Sequence, residues 1–494
     1  MVAGAAGHTT RRWTERGSAV TVFEHTATYP HPRDEVFAWH ERPGAFVRLS
    51  PPGAIVTVDG PSDGLHVGSR RALRISSPLL TALWPGRTMP SAVRTGPGLR
   101  WLVEHVAYES GRLFVDEQVR GPLRHWRHEH LFEDAEGGGT RITDRVTYEL
   151  PPALAGSVGE RWMHRYLEGL FRFREDQLRA DLALHQRLAR TPRTIAIAGA
   201  SGTIGTQLTA LLATGGHTVL RLVRRPAQGT DEISWAPELG DLDPARLAGV
   251  DTVVNLSGRP IVTRYTPTTK HEILWSRLDA TQTLTRAIVA ARRAGDGPAA
   301  LVQANAVGYY GGRRPGEVLT EDSPAGTDFL ADVARQWEEA SHRVAEDGAR
   351  LVVLRTGTVL GPAAGMLAME LPLFLVGAGG RLTSPQAMVS WIGLDDITRA
   401  YAHVILEGSC RGPYNAVAPG VVTAGAFASR LGEVLHRPSL IPTPGFGPAL
   451  LLGREAAAIL VHTDLNVSSA RLRTTGFRFS HPELVPALRH ALTR

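Results

Sequence analysis

The sequence predicts a doubly wound, parallel α/β sheet in the carboxy-terminal part of the chain, preceded by a smaller α+β domain. Three observations carry this. Between Thr194 and Leu354, short β-branched runs alternate with amphipathic stretches, the pattern of a parallel sheet covered on both faces. The first of these runs breaks into a glycine-rich turn, Gly199-Ala200-Ser201-Gly202-Thr203-Ile204-Gly205, directly ahead of a helical pattern. Before residue 190 the chain instead carries period-two runs between glycine and proline turns, closed by one long helical pattern.

Composition narrows the class. With 494 residues, 43% hydrophobic and 21% charged, the chain has the balance of a soluble globular protein of several domains. The net charge of +6 is spread along the sequence, which argues against nucleic acid as a partner. The single cysteine, Cys410, excludes an internal disulfide and fits a reducing compartment. The first 20 residues lack the apolar core of a signal peptide, and no apolar run reaches the ~18 residues of a membrane span. The expectation is a cytoplasmic protein without a membrane span whose partner is a small molecule.

Residues 1–19 read as a disordered lead. Val20 to Tyr29 alternates as a strand, and Pro32 to His40 reads as a short helix with Val36, Phe37 and Trp39. Further strands are expected at Arg100 to Tyr108, Leu113 to Val119 and Thr140 to Leu150. The long helix runs from Ser157 to Ala189, with Trp162, Tyr166, Leu170, Phe173 and Leu178 at helical spacing. A short helix, a curved antiparallel sheet and a closing helix make a helix-grip cup over residues 20–189, and 190–193 form a linker. In the strand His125 to Phe132, period two puts Trp126, His128, His130 and Phe132 on one face, which its two aromatics turn inward. Trp126, His128 and His130 are therefore the candidates to line the cup. The two histidines could hold a metal or a polar head group, or simply be hydrogen-bonded. No carboxylate or cysteine cluster accompanies them in the sequence, so no metal is expected.

Phe37-Ala38-Trp39-His40-Glu41-Arg42-Pro43-Gly44, with Arg48-Leu49 and Pro51-Pro52, resembles a bacterial branch of the START-like (SRPBCC) superfamily. So does Gly121-Pro122-Leu123-Arg124-His125-Trp126-Arg127-His128-Glu129-His130. The resemblance implies a cup for apolar ligands.

The glycine turn points to a dinucleotide. Strand Thr194 to Ala198, the turn, a helix through Leu208, Leu211 and Leu212, and strand Thr218 to Val223 form the unit such a site needs. Its glycines permit a tight turn, close approach to a pyrophosphate and tight helix–strand packing, and the helix amino terminus favours anions. The spacing is G-x-x-G-x-x-G. After the second strand, where an enzyme specific for NAD(H) places an acid for the ribose, stand Arg224 and Arg225. A guanidinium fork suits a 2′-phosphate, so NADP(H) is expected over NAD(H), with Asp231 or Glu232 the ribose acid in the other case. Trp235, ending a third strand from Glu232 to Ala236, lies where an adenine is expected. A fourth strand, Asp251 to Leu256, runs into Ser257-Gly258. A helix from Lys270 to Arg293 leads to a fifth strand, Leu301 to Ala304. A helix from Phe329 to Ala345 leads to a sixth, Arg350 to Leu354.

Five ordered motifs then carry a second resemblance. They are Asn255-Leu256-Ser257-Gly258-Arg259-Pro260-Ile261, Ala306-Val307-Gly308-Tyr309-Tyr310-Gly311, Leu354 to Pro362, Ser390 to Asp396, and the tail with His436-Arg437-Pro438 and Gly476-Phe477-Arg478-Phe479. Residues 194–494 resemble the extended short-chain dehydrogenase/reductase superfamily. Within it they are similar to the NAD-dependent epimerase/dehydratase-like group, whose members carry the names cell-division inhibitor or nucleoside-diphosphate-sugar epimerase. The resemblance implies a Rossmann-like core over 194–364 and a substrate or cap region over 365–494. It also implies that Gly199, Ser201, Gly202, Thr203, Ile204 and Gly205 hold the pyrophosphate, and that Arg224 and Arg225 face the 2′-phosphate. Ser257 and Gly258 would lie on the adenosine side, and Ala304, Asn305, Gly357, Thr358 and Val359 near the nicotinamide. Gln303 and Asn305 stand where relatives usually carry serine, and Gly393 where they carry histidine.

Active reductases of this superfamily use Tyr-x-x-x-Lys. Lys270 is the sole lysine here and the residue four before it is Thr266, so the motif is absent. The remaining candidates for proton transfer are Tyr309 or Tyr310 helped by Asn305, and Glu338 if burial raised its pKa. The leading expectation is an NADP(H)-dependent oxidoreductase or epimerase acting on an apolar or ring-containing small molecule. The alternative is a non-catalytic NADPH-responsive sensor or ligand-binding protein.

Overall fold

The computed structural model describes residues 8–15, 18–52, 55–57, 64–75, 98–188, 191–362, 365–439 and 452–494. The chain divides into two compact units, Met1–Gln186 with Leu492–Arg494, and Arg187–Ala491.

The first unit is built on one antiparallel sheet of eight strands: β1 (His8–Glu15), β2 (Ser18–Tyr29), β3 (Ile55–Thr57), β4 (Arg70–Ile75), β5 (Leu99–Glu109), β6 (Leu113–Arg120), β7 (His125–Ala135) and β8 (Gly139–Glu149). Their spatial order is β1-β2-β8-β7-β6-β5-β4-β3. Helix α1 (Arg33–Glu41) buries Val36, Phe37 and Trp39 as expected. The long helix α2 (Ser157–Leu188) packs Met163, Leu167 and Phe171 against Phe23, Trp126 and Tyr148, and Leu178 and Leu182 against Phe37, Phe132 and Ile142. The α+β arrangement of one sheet gripped by one long helix is therefore present.

Two expectations need correcting here. Residues 8–15 of the supposed disordered lead form β1, paired residue for residue with β2 from His8↔His25 to Glu15↔Ser18. Pairing satisfies backbone groups that β2 would otherwise leave open at the sheet edge. Trp162, placed on the inward stripe of the long helix, is 58% exposed and stacks on Tyr166 with centroids 5.8 Å apart.

The long helix is also fixed to the segment before β3 by a buried ion pair. Arg48 Nε and Nη2 donate to Asp181 Oδ2 and Oδ1 at 2.7 and 2.9 Å, with both side chains 0% exposed. Breaking such a buried ion pair by removing one side chain costs about 3–5 kcal/mol. Asp181→Ala is expected to lower the stability of the first unit by that amount, measured on its own urea transition.

The second unit has a sheet of seven strands: β9 (Thr194–Ala198), β10 (Thr218–Val223), β11 (Glu232–Ser234), β12 (Thr252–Asn255), β13 (Ala300–Ala306), β15 (Arg350–Thr356) and β19 (Gly412–Ala416). Their spatial order is β11-β10-β9-β12-β13-β15-β19, parallel throughout. Between and beyond them lie short pairs formed by β14 (Arg313–Leu319) with β21 (Asp464–Val467), β16 (Thr358–Leu360) with β18 (Trp391–Gly393), and β17 (Met388–Val389) with β20 (Val422–Thr423). Helix α3 (Thr203–Thr214) follows β9 and α4 (Pro267–Arg293) follows β12. The expected helix Phe329 to Ala345 is two, Phe329–Glu339 and His342–Glu346, separated at Ala340-Ser341.

The region after residue 365 is more than a cap, because β19 completes the sheet as its seventh strand. Gly412 and Pro413 hide it in the sequence. A proline is tolerated there because β19 is an edge strand. Of Phe446, Leu450, Leu451 and Leu452, whose spacing in the sequence suggests a helix covering a pocket, only Leu452 lies within the described residues, and it is buried. Among the described residues, no helix is long and apolar enough to cross a membrane.

His403, on helix Leu394–Leu406, is buried beside the Arg187 guanidinium. Its Nδ1 accepts from Arg187 Nη2 at 3.4 Å and its Nε2 donates to Thr475 Oγ1 at 2.7 Å. Burial, then the neighbouring cation, lowers its pKa to about 4. The unfolded chain takes up this proton near pH 6.5. Stability is thus fully present above that pH and is lost as pH falls from about 6.5 towards about 4. His403→Gln is expected to flatten this part of the pH–stability profile of the second unit.

Candidate cofactor and active site

The site is organised at the carboxyl ends of the parallel strands. The chain moves outward from β9 through β10 to β11 on one side and from β12 through β13 to β19 on the other, so strand order reverses between β9 and β12. That reversal leaves a crevice in which such sheets bind ligands.

The glycine turn closes β9 into α3, and steric constraint explains its glycines. Gly199 has φ +81°, and a Cβ there would lie 2.8 Å from the Leu256 carbonyl. A Cβ on Gly205 would lie 2.2 Å from the Gly199 carbonyl oxygen. Gly202 caps α3 without a side-chain hydrogen bond, leaving the first N–H groups of the helix unsatisfied by a cap. The backbone is thus a cradle that fits a pyrophosphate, with Ser201, Thr203 and Ile204 on its rim.

Beyond β12, Ser257 N–H donates to Asn255 Oδ1 at 3.0 Å. Asn255 Nδ2 in turn donates to Thr281 Oγ1 at 3.0 Å and to Gln303 Oε1 at 3.1 Å. This buried chain fixes the turn that carries Ser257 and Gly258. Gly357 is equally constrained, since a Cβ there would meet Val417 at 2.7 Å and the Ser390 carbonyl at 2.8 Å. Thr358 and Val359 come next, in β16, and Ala304 and Asn305 are buried in β13.

The two arginines at the end of β10 part company. Arg225 forks onto Glu232, Nη1 to Oε2 at 2.7 Å and Nη2 to Oε1 at 2.6 Å. Glu232 also accepts from Gln228 N–H at 2.9 Å, and with both oxygens taken its carboxyl is held down to about 2. Asp231 pairs with Arg221 at 2.7 Å. Arg224 is exposed and has no partner among the described residues. Trp235, expected beside an adenine, is 5% exposed and packed with Ile233, Leu242 and Leu247. Its indole joins the core because Trp235 continues the alternation of β11 and shares the buried face with Ile233, while Ser234 between them is exposed.

The four proton-transfer candidates come together around Arg355 on β15. Arg355 Nη2 and Nε donate to Glu338 Oε1 and Oε2 at 2.9 and 3.1 Å, and Asn305 Nδ2 donates to Glu338 Oε2 at 2.9 Å. Arg355 Nη1 donates to Tyr310 Oη at 3.0 Å, and Tyr310 O–H donates to Asn415 Oδ1 at 2.7 Å. Burial pushes the Tyr310 phenol upward, and its side chain is 0% exposed. The Glu338 carboxylate is taken by a guanidinium fork and Tyr310 is locked, so neither is placed to exchange protons with a ligand. Tyr309 differs: its half-exposed ring lies over the Arg355 guanidinium, 3.6 Å from its carbon, and no described residue bonds its hydroxyl.

Residues 195–415 match the NAD dependent epimerase/dehydratase family, and residues 443–491 match a domain of unknown function, DUF1731. An epimerase family protein of Mycobacterium bovis is 40% identical over 301 residues, 61% of this chain and 98% of the relative. The chain belongs to the NAD dependent epimerase/dehydratase family. A human epimerase family protein, SDR39U1 (isoform 2), solved with NADPH, is 34% identical over 60% of this chain and 98% of its own, with a TM-score of 0.55. The nucleoside-diphosphate sugar epimerase from Corynebacterium glutamicum is similar over 95% of this chain and 90% of its own, at 29% identity and a TM-score of 0.74. That coverage takes in both units. Family membership gives the second unit an epimerase- or oxidoreductase-like catalytic fold.

Sequence reasoning alone does not single out Arg355, Arg277 and Tyr265, which lie beside the candidate residues. Arg355 is visible as a charge that follows the apolar run Leu351-Val352-Val353-Leu354 within β15. Arg277 and Tyr265 give no such signal. Arg277 donates to the Ile273 carbonyl at 3.0 Å and stands over the Trp337 ring at 4.9 Å. Burial lowers its pKa to about 10, and a Cβ on Gly258 would be 3.1 Å from its guanidinium carbon. The buried Tyr265 hydroxyl has no hydrogen-bond partner among the described residues. Neither Arg277 nor the Tyr265 hydroxyl is bonded to a carboxylate among the described residues, and a cation beside a hydroxyl suits an oxygen-rich ligand group.

Tyr310→Phe would leave Arg355 Nη1 and Asn415 Oδ1 each short of a bond. Unsatisfied buried groups cost about 1–3 kcal/mol. That loss is expected in chemical denaturation of the second unit.

Proposed function

We propose that the protein is an NADP(H)-dependent oxidoreductase or epimerase acting on a ring-containing small molecule. The observation that carries the cofactor preference is the unequal engagement at the end of β10: Glu232 has both oxygens taken, whereas Arg224 has no partner among the described residues. An acid already saturated by guanidinium and amide donors cannot serve a ribose 2′-hydroxyl, and an unpaired guanidinium suits a 2′-phosphate. The solved human relative with NADPH supports the same reading.

In this proposal the turn from Gly199 to Gly205 seats the pyrophosphate. Ser257 and Gly258 border the adenosine side, and Ala304, Asn305 and Gly357 to Val359 border the nicotinamide. The bound cofactor supplies or accepts the hydride. Tyr309, with its ring held on Arg355, gives or takes the proton at the substrate oxygen. Arg277 and Tyr265 orient oxygen atoms of the substrate. The first unit acts as a START-like cup for an apolar ligand, and the setting is cytoplasmic.

A second reading is an NADPH-responsive sensor without turnover. It is favoured by the consumption of Glu338, Asn305 and Tyr310 in the Arg355 network.

Arg224→Ala is expected to weaken NADPH binding by on the order of tenfold, the scale of one charge-assisted bond, and NADH binding by less than about twofold. Fluorescence titration measures both, and equal losses would remove the 2′-phosphate assignment. Tyr309→Phe is expected to lower turnover by roughly 10²–10⁴ while keeping cofactor affinity. Cofactor binding by the wild type with no turnover over a broad panel of carbonyl and sugar-nucleotide substrates would favour the sensor.

A further inference from the structure

The carboxylate between the two histidines in sequence, Glu129, points to the other face of the strand, where it pairs with Arg127 and Arg145, yet the histidines are not without carboxylates. Strand pairing supplies them: Asp116 on β6 faces His128 on β7, and His130 faces Asp144 on β8. Directly opposed residues have Cβ atoms about 4.5–5.5 Å apart, and His128 and His130 share a face by period two. The two imidazole centroids are 3.7 Å apart.

The nitrogens divide into two sets. His128 Nε2 and His130 Nδ1 both bond Asp144 Oδ1, at 3.0 and 2.7 Å. The remaining nitrogens, His128 Nδ1 and His130 Nε2, converge on Asp116 Oδ1 at 3.6 Å each. That is too long for a hydrogen bond. It is close to the ~3.3 Å that separates two ligand atoms around a tetrahedral zinc ion with bonds of about 2.0–2.1 Å. Asp116 Oδ1 and one nitrogen of each ring lie within 4.8 Å of one another. The Asp116 carboxylate is oriented from its other side, where Oδ2 accepts from Trp126 Nε1 at 3.3 Å. The Asp144 contacts reproduce the carboxylate–histidine pairing that fixes the tautomer and orientation of metal-bound imidazoles.

We propose that Asp116, His128 and His130 bind one divalent metal ion of the zinc class, with Asp144 as the outer carboxylate and a fourth position for water or a ligand oxygen. Two nitrogens and one oxygen from the protein are a donor set that suits zinc and cobalt and is poor for calcium or magnesium. Asp116 and Asp144 bring two carboxylates to the cluster against the guanidinium of Arg174, which acts on both, so a dication is electrostatically welcome. An open fourth position inside the cup would hold the polar end of an otherwise apolar ligand.

The test uses the full-length protein, stripped with a chelator and titrated with Co²⁺ and then Zn²⁺. The expected result is one equivalent of cobalt with the visible absorption of a tetrahedral nitrogen–oxygen site, displaced by one equivalent of zinc. Asp116→Asn and His130→Gln should each weaken binding by roughly 100-fold or more, and Asp144→Asn, which keeps all three ligands, by about 10- to 100-fold. Circular dichroism checks that each variant folds. Absence of the cobalt spectrum in the wild type at tens of micromolar metal would overturn the proposal, whatever the variants do. So would uptake unchanged in both Asp116→Asn and His130→Gln.

Discussion

One guanidinium holds the carboxyl ends of the second unit's strands together. Arg355 is 3% exposed, and taking such a charge out of water costs several kcal/mol unless every donor is met. Its donors meet Glu338, the Tyr310 hydroxyl and the Glu321 carbonyl, the last at 3.0 Å. Glu338 belongs to helix Phe329–Glu339, Tyr310 to the turn after β13, and Glu321 to the loop after β14. Glu321 Oε1 also accepts from the backbone N–H of Asn415 in β19 at 2.8 Å. The cation thus joins β15 directly to the turn after β13, the loop after β14 and helix Phe329–Glu339, and through Glu321 to β19. Because the fork is bidentate and buried, lysine could not replace it, having neither the planar geometry nor the number of donors. The same saturation that makes the joint stable withdraws Glu338 and Tyr310 from proton chemistry.

Local patterns make most of the fold legible. The run from Thr194 to Val223 can be read to its strand boundaries because β-branched residues, glycines and an amphipathic helix agree there at every level. Tight contacts at Gly199 and Gly205 show why the turn reads so clearly: a side chain at either would collide with backbone. Features decided across the sheet are the ones that sequence does not reveal. β19 is hidden by Gly412 and Pro413, and β1 by a composition that looks like a tail. Arg225 reads as a partner for a ligand because its place just past a strand is visible, whereas its capture by Glu232 on the neighbouring strand is not. Trp235 is misplaced for the same reason, since which face of β11 is covered by the core decides whether the indole is buried, and that covering comes from Leu242 and Leu247 further along the chain.

The first unit shows the same limit from the other side. His128 and His130 are found by period two, which is local, and their inward orientation comes from Trp126 and Phe132. Asp116 and Asp144 lie on flanking strands, and nothing near the histidines announces them. Their positions opposite the histidines come from the β6–β7 and β7–β8 pairing, Asp116↔His128 and His130↔Asp144, not from the residues themselves. Three buried or half-buried charge clusters, at Arg48, at Asp144 and at Arg355, thus arise from long-range pairing. Each is invisible as a motif.

The missing lysine acquires a physical meaning in this setting. A lysine beside a catalytic tyrosine works because its compact charge can approach the phenol oxygen. In this chain Arg355 approaches Tyr309 from the ring face, at 3.6 Å, and gives its N–H groups to Glu338, Tyr310 and Glu321 instead. A guanidinium also keeps its proton throughout any reasonable pH range, and the carboxylate beside Arg355 raises its affinity for that proton further. Arg355 can position Tyr309 but cannot relay a proton to it. In the proposed reaction the hydroxyl of Tyr309 therefore exchanges its proton directly with solvent or substrate, and the half-exposure of its ring is what makes that exchange possible.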